Sequence, residues 1–328
     1  MDAEEPYRNL EPDDILSAVE QAGYHCDGRI LALNSYENRV YQVGIEDEKP
    51  VIAKFYRPAR WTDESILEEH QFSIVLAERE IPVIAPLIRD DKTLFHISSF
   101  RLALYPRVGG RAPELDNPEH LLQLGRTMAR LHLMGETEDF KYRPELNVSS
   151  YAVDSSNYLL ENNFIPDDLT DAYQTLTSDL INRIDSCFKS ANPVRYIRIH
   201  GDCHLGNILW NNDAPFLVDF DDARMGPAIQ DLWMLLSGDR PYMTARLYDL
   251  LEGYSEFRQF DPRELHLVEA LRTLRMINYA GWIAQRWNDP AFPLAFPWFN
   301  TQIYWQDHIL SLREQAAMMD EPPLEWDP

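Results

Sequence analysis

The sequence predicts an α+β chain in two parts, a small β-rich one over residues 1–104 and a larger, mainly helical one over 105–328. Three observations carry that prediction. Short apolar runs bounded by polar turns, the pattern of strands, crowd the first part. Leu104-Tyr105-Pro106-Arg107-Val108-Gly109-Gly110 then breaks the pattern with a proline and paired glycines, as a hinge does. From Pro118 onward apolar residues recur at helical spacing, as Leu121, Leu122, Leu124, Met128, Leu131 and His132 do between Glu119 and Met134.

The elements follow in order. A helix is expected from Asp13 to Ala22, then a strand, turn and strand from Leu33 to Val43, with Ser35, Tyr36, Glu37 and Asn38 filling the turn. Val51 to Tyr56 is an apolar strand interrupted by one lysine, Lys54. Pro58 and Trp61 punctuate a loop. The helical stripe Ile66, Glu69, Phe72, Ser73 and Leu76 then turns Glu69 inward, where it can pair with Lys54; Glu68 is the alternative partner. Strands are expected near Val83 to Ile88 and Leu94 to Leu104. In the second part Tyr196 to Ile199, Ile208 to Trp210 and Phe216 to Val218 read as short strands, Asp231 to Leu236 as a helical turn and Ala270 to Trp287 as a helix. Trp298, Phe299, Tyr304 and Trp305 read as packed core, with an acceptor pocket as the other reading. The tail Glu321 to Trp326 reads as extended on the surface. No internal repeat divides the chain further.

Chemistry concentrates between Ile199 and Ala223, which read I-H-G-D-C-H-L-G-N-I-L-W-N-N-D-A-P-F-L-V-D-F-D-D-A. Asp202 stands five residues before Asn207, and Asp219 ends an apolar run. Phosphoryl transfer asks a protein mainly to hold a divalent cation on phosphate oxygens and to aim a hydroxyl at phosphorus. Mg2+ prefers hard oxygen ligands, one or two carboxylates beside phosphate and water. Asp219 and the amide oxygen of Asn207 meet that demand, and Asp202 is placed to accept the hydroxyl proton. Taken singly, such Asp and Asn residues merely cap turns; the whole constellation needs more. Zinc is the rival for His200, Asp202, Cys203 and His204. No second ligand cluster accompanies them, and neither H-E-x-x-H nor C-x-x-C occurs. Val51-Ile52-Ala53-Lys54 matches the V-A-I-K strand whose lysine reaches ATP phosphates.

Bulk properties limit the alternatives. Fifty-four acidic against 30 basic residues leave a net charge of −24, which disfavours nucleic acid and anionic lipid. Only five of the basic residues are lysines, which makes the place of Lys54 more telling. No apolar run approaches the roughly 18 residues that span a bilayer. Met1-Asp2-Ala3-Glu4-Glu5-Pro6 lacks the basic and apolar regions of a signal peptide, and three unpaired-looking cysteines suit a reducing compartment. A cytoplasmic monomer is expected.

HGDxHxGN followed by VDFDD resembles the catalytic signature of the aminoglycoside phosphotransferase and choline kinase-like family. Nearly the whole chain is similar to that family's bacterial stress-response Ser/Thr protein kinase branch. The similarity includes Leu33-Asn34-Ser35-Tyr36-Glu37-Asn38-Arg39-Val40-Tyr41, Lys54-Phe55-Tyr56-Arg57-Pro58, Leu67-Glu68-Glu69-His70-Gln71-Phe72 and Gly226-Pro227-Ala228-Ile229-Gln230-Asp231-Leu232-Trp233. The resemblance implies a protein kinase-like two-lobe fold, ATP and Mg2+, and a protein acceptor bearing Ser or Thr, the chain itself becoming a phosphoprotein. A small alcohol, such as an aminoglycoside, a choline-like compound or homoserine, is the alternative acceptor. A non-catalytic kinase-like module is a further reading, against which the presence of Lys54, Asp202, Asn207 and Asp219 counts. By the same resemblance Asp202 is the base, Asn207 and Asp219 hold the metal, and Lys54, paired with Glu69, reaches the phosphates. The turn lacks G-x-G-x-x-G, so Ser35 and Asn38 become the nucleotide contacts there. Adenine is expected on backbone groups from Leu104 to Arg107, beside Tyr105. His204 is expected to donate to the γ-phosphate or to orient the loop, and Asp231 to brace it. His200 reads as a buried structural histidine, and Asp221 and Asp222 either support the metal or face solvent.

Overall fold

A computed structural model describes residues 6–326; residues 1–5, whose sequence was read above as lacking a signal peptide, lie outside that range. The chain is mixed α and β, as expected, and its residues group into two compact units. The first holds the described residues through Glu114 together with Phe140–Arg143 and Asp202–Ala223; the second holds Leu115–Asp139, Pro144–Gly201 and the residues from Arg224 onward.

The first unit is built on a five-stranded antiparallel sheet. Its strands are β1 (Cys26–Ala32), β2 (Arg39–Ile45), β3 (Val51–Phe55), β4 (Phe95–Ile97) and β5 (Phe100–Pro106), in the order β1-β2-β3-β5-β4. Strand alternation sorts the side chains. Val51, Ala53 and Phe55 of β3 and Phe100, Leu102 and Leu104 of β5 pack with helix α1 (Pro12–Gln21) through Ile15, Ala18 and Val19. The opposite face carries Tyr56, Ala103 and Tyr105, which pack with Ile66 of helix α2 (Asp63–Glu78). Lys54 has the parity of that second face, opposite Ala103. Thr62 caps α2, its hydroxyl oxygen accepting from Ser65 N at 3.2 Å, and Asp63 and Glu64 suit the positive end of the helix.

The expected strand from Val83 to Ile88 does not form. Pro82 and Pro86 remove backbone donors, and only Val83 makes an isolated bridge, to Leu217. The division at Glu114 also differs from the split at residue 104, and Asp202–Ala223 joins the sheet unit. Backbone bonds give the reason. Ile84 N donates to Leu217 O and Leu217 N to Pro82 O, each at 2.9 Å, while Trp210 exchanges backbone bonds with Arg111 at 2.6 and 3.2 Å.

The second unit is mainly helical: α3 (Pro118–Gly135), α4 (Asp154–Glu161), α5 (Asp167–Ala191), α6 (Arg240–Ser255), α7 (Val268–Gln285), α8 (Ala291–Ala295) and α9 (Gln302–Met319). It also holds a two-stranded ladder of β6 (Ile197–Ile199) and β9 (Arg224–Gly226). Phe299 and Trp305 are fully buried, which favours the packing reading of that aromatic cluster. The tail is not free at the surface. Leu324 and Trp326 are buried, Trp326 meets Phe260 edge-on at 6.2 Å, and Arg240 donates to the Pro322 and Pro323 carbonyls.

Helices α3 and α6 approach so closely that a Cβ on Gly125 would lie 2.0 Å from Leu250 O, and one on Gly253 would lie 2.0 Å from Leu122 O. Backbone cannot give way there as a flexible side chain can. Gly125→Ala and Gly253→Ala are each expected to cost at least ~1–3 kcal/mol, read as a lower urea midpoint with an unchanged slope.

Candidate active site

The site residues singled out by sequence gather in the first unit, and local geometry explains how. Strands β7 (Ile208–Asn211) and β8 (Ala214–Leu217) form a hairpin whose two-residue loop, Asn212-Asp213, has φ of 49° and 59°. That is the left-handed turn that Asn and Asp tolerate and that matches strand twist. Ile208 pairs with Leu217, and beyond them Val218 N donates to Asn207 O at 3.0 Å. The open end of the hairpin therefore brings Asn207 next to the residue that precedes Asp219. Asp219 has φ 60°, which turns the chain sharply into the buried Phe220-Asp221 segment.

Asn207 Nδ2 donates to Asp202 O at 2.9 Å, which leaves Oδ1 as its spare ligand atom. His204 Nδ1 accepts from Gly206 N at 2.9 Å, so the ring proton sits on Nε2, 3.5 Å from Asp202 Oδ2. This arrangement favours the loop-orienting reading of His204. Just before Asp202, within the second unit, Asp231 accepts from His200 N and Gly201 N, each at 2.8 Å, and its Oδ2 lies 3.1 Å from His132 Nε2. Burial pushes the Asp231 carboxyl up, but His132 and these bonds outweigh it and hold it below its ordinary value. His200 is fully buried, as its structural reading requires.

Lys54 is 5% exposed, and its Nζ lies 2.7 Å from Asp219 Oδ1 and 3.3 Å from Asp221 Oδ1. Burial favours losing the proton, yet the two carboxylates outweigh it and hold the ammonium charged. The expected Lys54 to Glu69 ion pair does not form: the two acids after β8 take the ammonium. Glu69 is buried without a hydrogen-bond partner on Oε2, and burial pushes its carboxyl up to about 7 against the pull of Lys54 and Arg143. Glu68, the alternative, caps another segment by accepting from Lys141 N at 2.7 Å and Tyr142 N at 2.9 Å.

Asn38 is 2% exposed and its Oδ1 accepts from Arg57 N at 3.0 Å, so its side chain is committed to the turn rather than open to a nucleotide. Ser35 is half-buried in that turn. Tyr105 OH lies 3.1 Å from Tyr56 OH and 3.5 Å from His70 Nε2, on the face of the sheet that carries Lys54.

Sequence reasoning missed the arginines. Arg60 bonds Asp221 and reaches Asp222 Oδ1 at 2.9 Å, while Arg57 Nε lies 3.1 Å from Glu37 in the turn. Arg143 donates to Ala223 O at 2.5 Å and to Asp221 O. Asp221 is thus a buried structural anion. Burial pushes its carboxyl up, and Arg60 and Lys54 pull it below the ordinary carboxylate range. The shortage of lysine beside many arginines was the only sequence signal, and it names no position. Among the described residues no three His, Cys, Asp or Glu side chains converge as a group that could hold a metal ion. No helix among them is long and apolar enough to cross a membrane.

The family profile described as "Phosphotransferase enzyme family" matches residues 29–268. Stress response kinase A of Escherichia coli (strain K12) is 42% identical over 322 residues, covering 98% of this chain and 97% of the relative. A protein of Salmonella typhimurium named serine/threonine protein kinase RdoA is 41% identical with the same coverage. Among solved structures, amicoumacin kinase hAmiN in complex with AMP-PNP, Ca2+ and Ami superposes with a TM-score of 0.72 over 94% of each chain, at 22% identity. That last likeness speaks for the fold, the two-lobe kind of the aminoglycoside and choline kinases.

Buried Glu69 sets a pH dependence. Between pH 4.5, where the unfolded carboxyl releases its proton, and about 7, the folded chain still holds one, so stability falls as pH rises through that window. Glu69→Gln removes this loss. Urea unfolding should show the variant gaining roughly 2–3 kcal/mol more at about pH 8 than at about pH 5. Equal shifts at both pH values would contradict the assignment.

Proposed function

The chain belongs to the phosphotransferase enzyme family, and on that premise we propose that it transfers the γ-phosphoryl group of ATP, with Mg2+, to a Ser or Thr hydroxyl of a protein. The main support is the Lys54 Nζ to Asp219 Oδ1 pair at 2.7 Å. It sets a permanent cation for phosphate oxygens directly beside a carboxylate suited to the metal.

The residues fit Mg2+. The Asp219 side chain is 49% exposed and so accessible, Asn207 Oδ1 is not spent on the loop, and both are hard oxygens. Bound there, the ion would neutralise charge on the phosphate oxygens. Asp202 orients the acceptor hydroxyl and takes its proton. Its carboxylate is 23% exposed, its backbone carbonyl holds Asn207, and His204 stands behind it. Lys54 binds phosphate oxygens with an ammonium that burial does not discharge, because Asp221 and Asp219 keep it protonated. A protein acceptor in a stress-response setting draws support from the names of the two relatives that match almost end to end.

Asp202→Asn is expected to lower turnover by about 10^2–10^4-fold with nucleotide affinity and melting kept, and Asp219→Ala to abolish Mg-dependent transfer in a chain that still folds but melts lower, because buried Lys54 loses a partner. The assay follows radiolabelled γ-phosphate from ATP into lysate proteins and into a panel of small alcohols. Wild-type turnover in both variants would overturn the proposal. Label in an alcohol and in no protein would keep the chemistry and replace the acceptor.

A further inference from the structure

In the first unit, between the loop leaving β3 and the turn joining β4 to β5, lies a cavity of about 430 Å3 that none of Lys54, Asp202, Asn207 or Asp219 lines. Its size is that of a small-molecule pocket. Three aromatic residues, Tyr56, Trp61 and Phe100, form its walls together with Asp63, His96 and Arg101.

The polar atoms of this wall are out of balance. Trp61 Nε1 is a buried donor with no acceptor, an arrangement that costs on the order of 1–3 kcal/mol unless something supplies one. Arg101 has five N–H donors. Its Nη1 serves Trp61 O at 2.7 Å and Asp63 Oδ1 at 3.1 Å, and Nη2 reaches Arg57 O only at 3.4 Å. Asp63, the one carboxylate present, is already shared with His96 Nε2 at 2.7 Å. The wall therefore offers apolar surface and, on Arg101, a cation whose N–H groups are not all used. We propose that this cavity is a binding site for a small aromatic carboxylic acid, the ring lying against Trp61 and the carboxylate meeting Arg101.

The loop that forms the pocket also reaches the residues after Asp219. The Trp61 ring lies 5.1 Å from the Arg60 guanidinium and 4.3 Å from that of Arg143, and these two arginines hold the side chain and backbone of Asp221. Tyr56, on another wall, has its ring 5.2 Å from Lys54 Nζ. A ligand seated on Trp61 thus acts on the groups that position Lys54 and Asp219 and changes the rate of phosphoryl transfer. That rate effect rests on the function proposed above; the binding does not.

The probe is 2-naphthoate, titrated calorimetrically into the full chain. Binding is expected in the wild type, weakened at least tenfold by Arg101→Gln and by Ser99→Trp, an exposed wall position that the larger ring fills, and within twofold of wild type in Asp219→Ala. Thermal melting verifies that each variant is folded; if Arg101→Gln is not, Ser99→Trp decides. No heat at millimolar probe, or equal affinity in Ser99→Trp, overturns the site. Saturating probe should change the transfer rate at least twofold in the wild type and leave Ser99→Trp unaffected; an unchanged wild-type rate overturns the coupling. A wild type that transfers no phosphate to any acceptor refutes the proposed function instead, and the calorimetry still decides the site.

Discussion

An ammonium that is 5% exposed between a sheet and a helix needs a counter-charge, and Lys54 finds it 165 residues later, on Asp219, with Asp221 behind. Much of the first unit is arranged around that need. Lys54 is on the α2 face because β3 alternates Val51, Ala53 and Phe55 toward α1. Asp221 cannot serve Lys54 alone without leaving its other oxygen bare, so Arg60 completes it, and Arg143 takes the backbone carbonyls that the sharp turn at Asp219 exposes. Removing one member of such a set strands the others, which makes the group act as a unit.

The two acids after β8 divide the work by exposure. Asp221 is buried and committed to cations, while Asp219 is half-exposed and keeps carboxylate surface open. Their separation follows from backbone: the left-handed residue at Asp219 sends the chain inward at once, so positions only two apart meet different environments. A comparable economy holds before Asp202, where Asp231 ties down the backbone of His200 and Gly201.

What sequence could reveal here was whatever is encoded within a few residues. The hairpin after Asn207 is legible because Asn-Asp is a turn that matches strand twist, and that one local element brings Asn207 next to the residue before Asp219. Alternation put Lys54 on a defined face, and the helical stripe put Glu69 inward. Local patterns also misled. The apolar residues from Val83 to Ile88 looked like a strand, yet Pro82 and Pro86 limit them to one bridge. Asn38 was expected as a nucleotide contact from the family resemblance, and its oxygen instead accepts from Arg57 N.

The fold class, the reaction class and the identity of the acidic and basic groups were thus determined by the sequence alone, since strand period, helix period and turn chemistry are properties of neighbours in the chain. Which charge meets which was decided only in three dimensions. Lys54 had Glu69 and Glu68 as candidate partners nearer in sequence and took two aspartates far from it, and Arg60, unremarked in its loop, became the partner of Asp221. Electrostatic pairing in a buried site depends on distance and desolvation, and neither is written in residue spacing once the partners lie on separate elements.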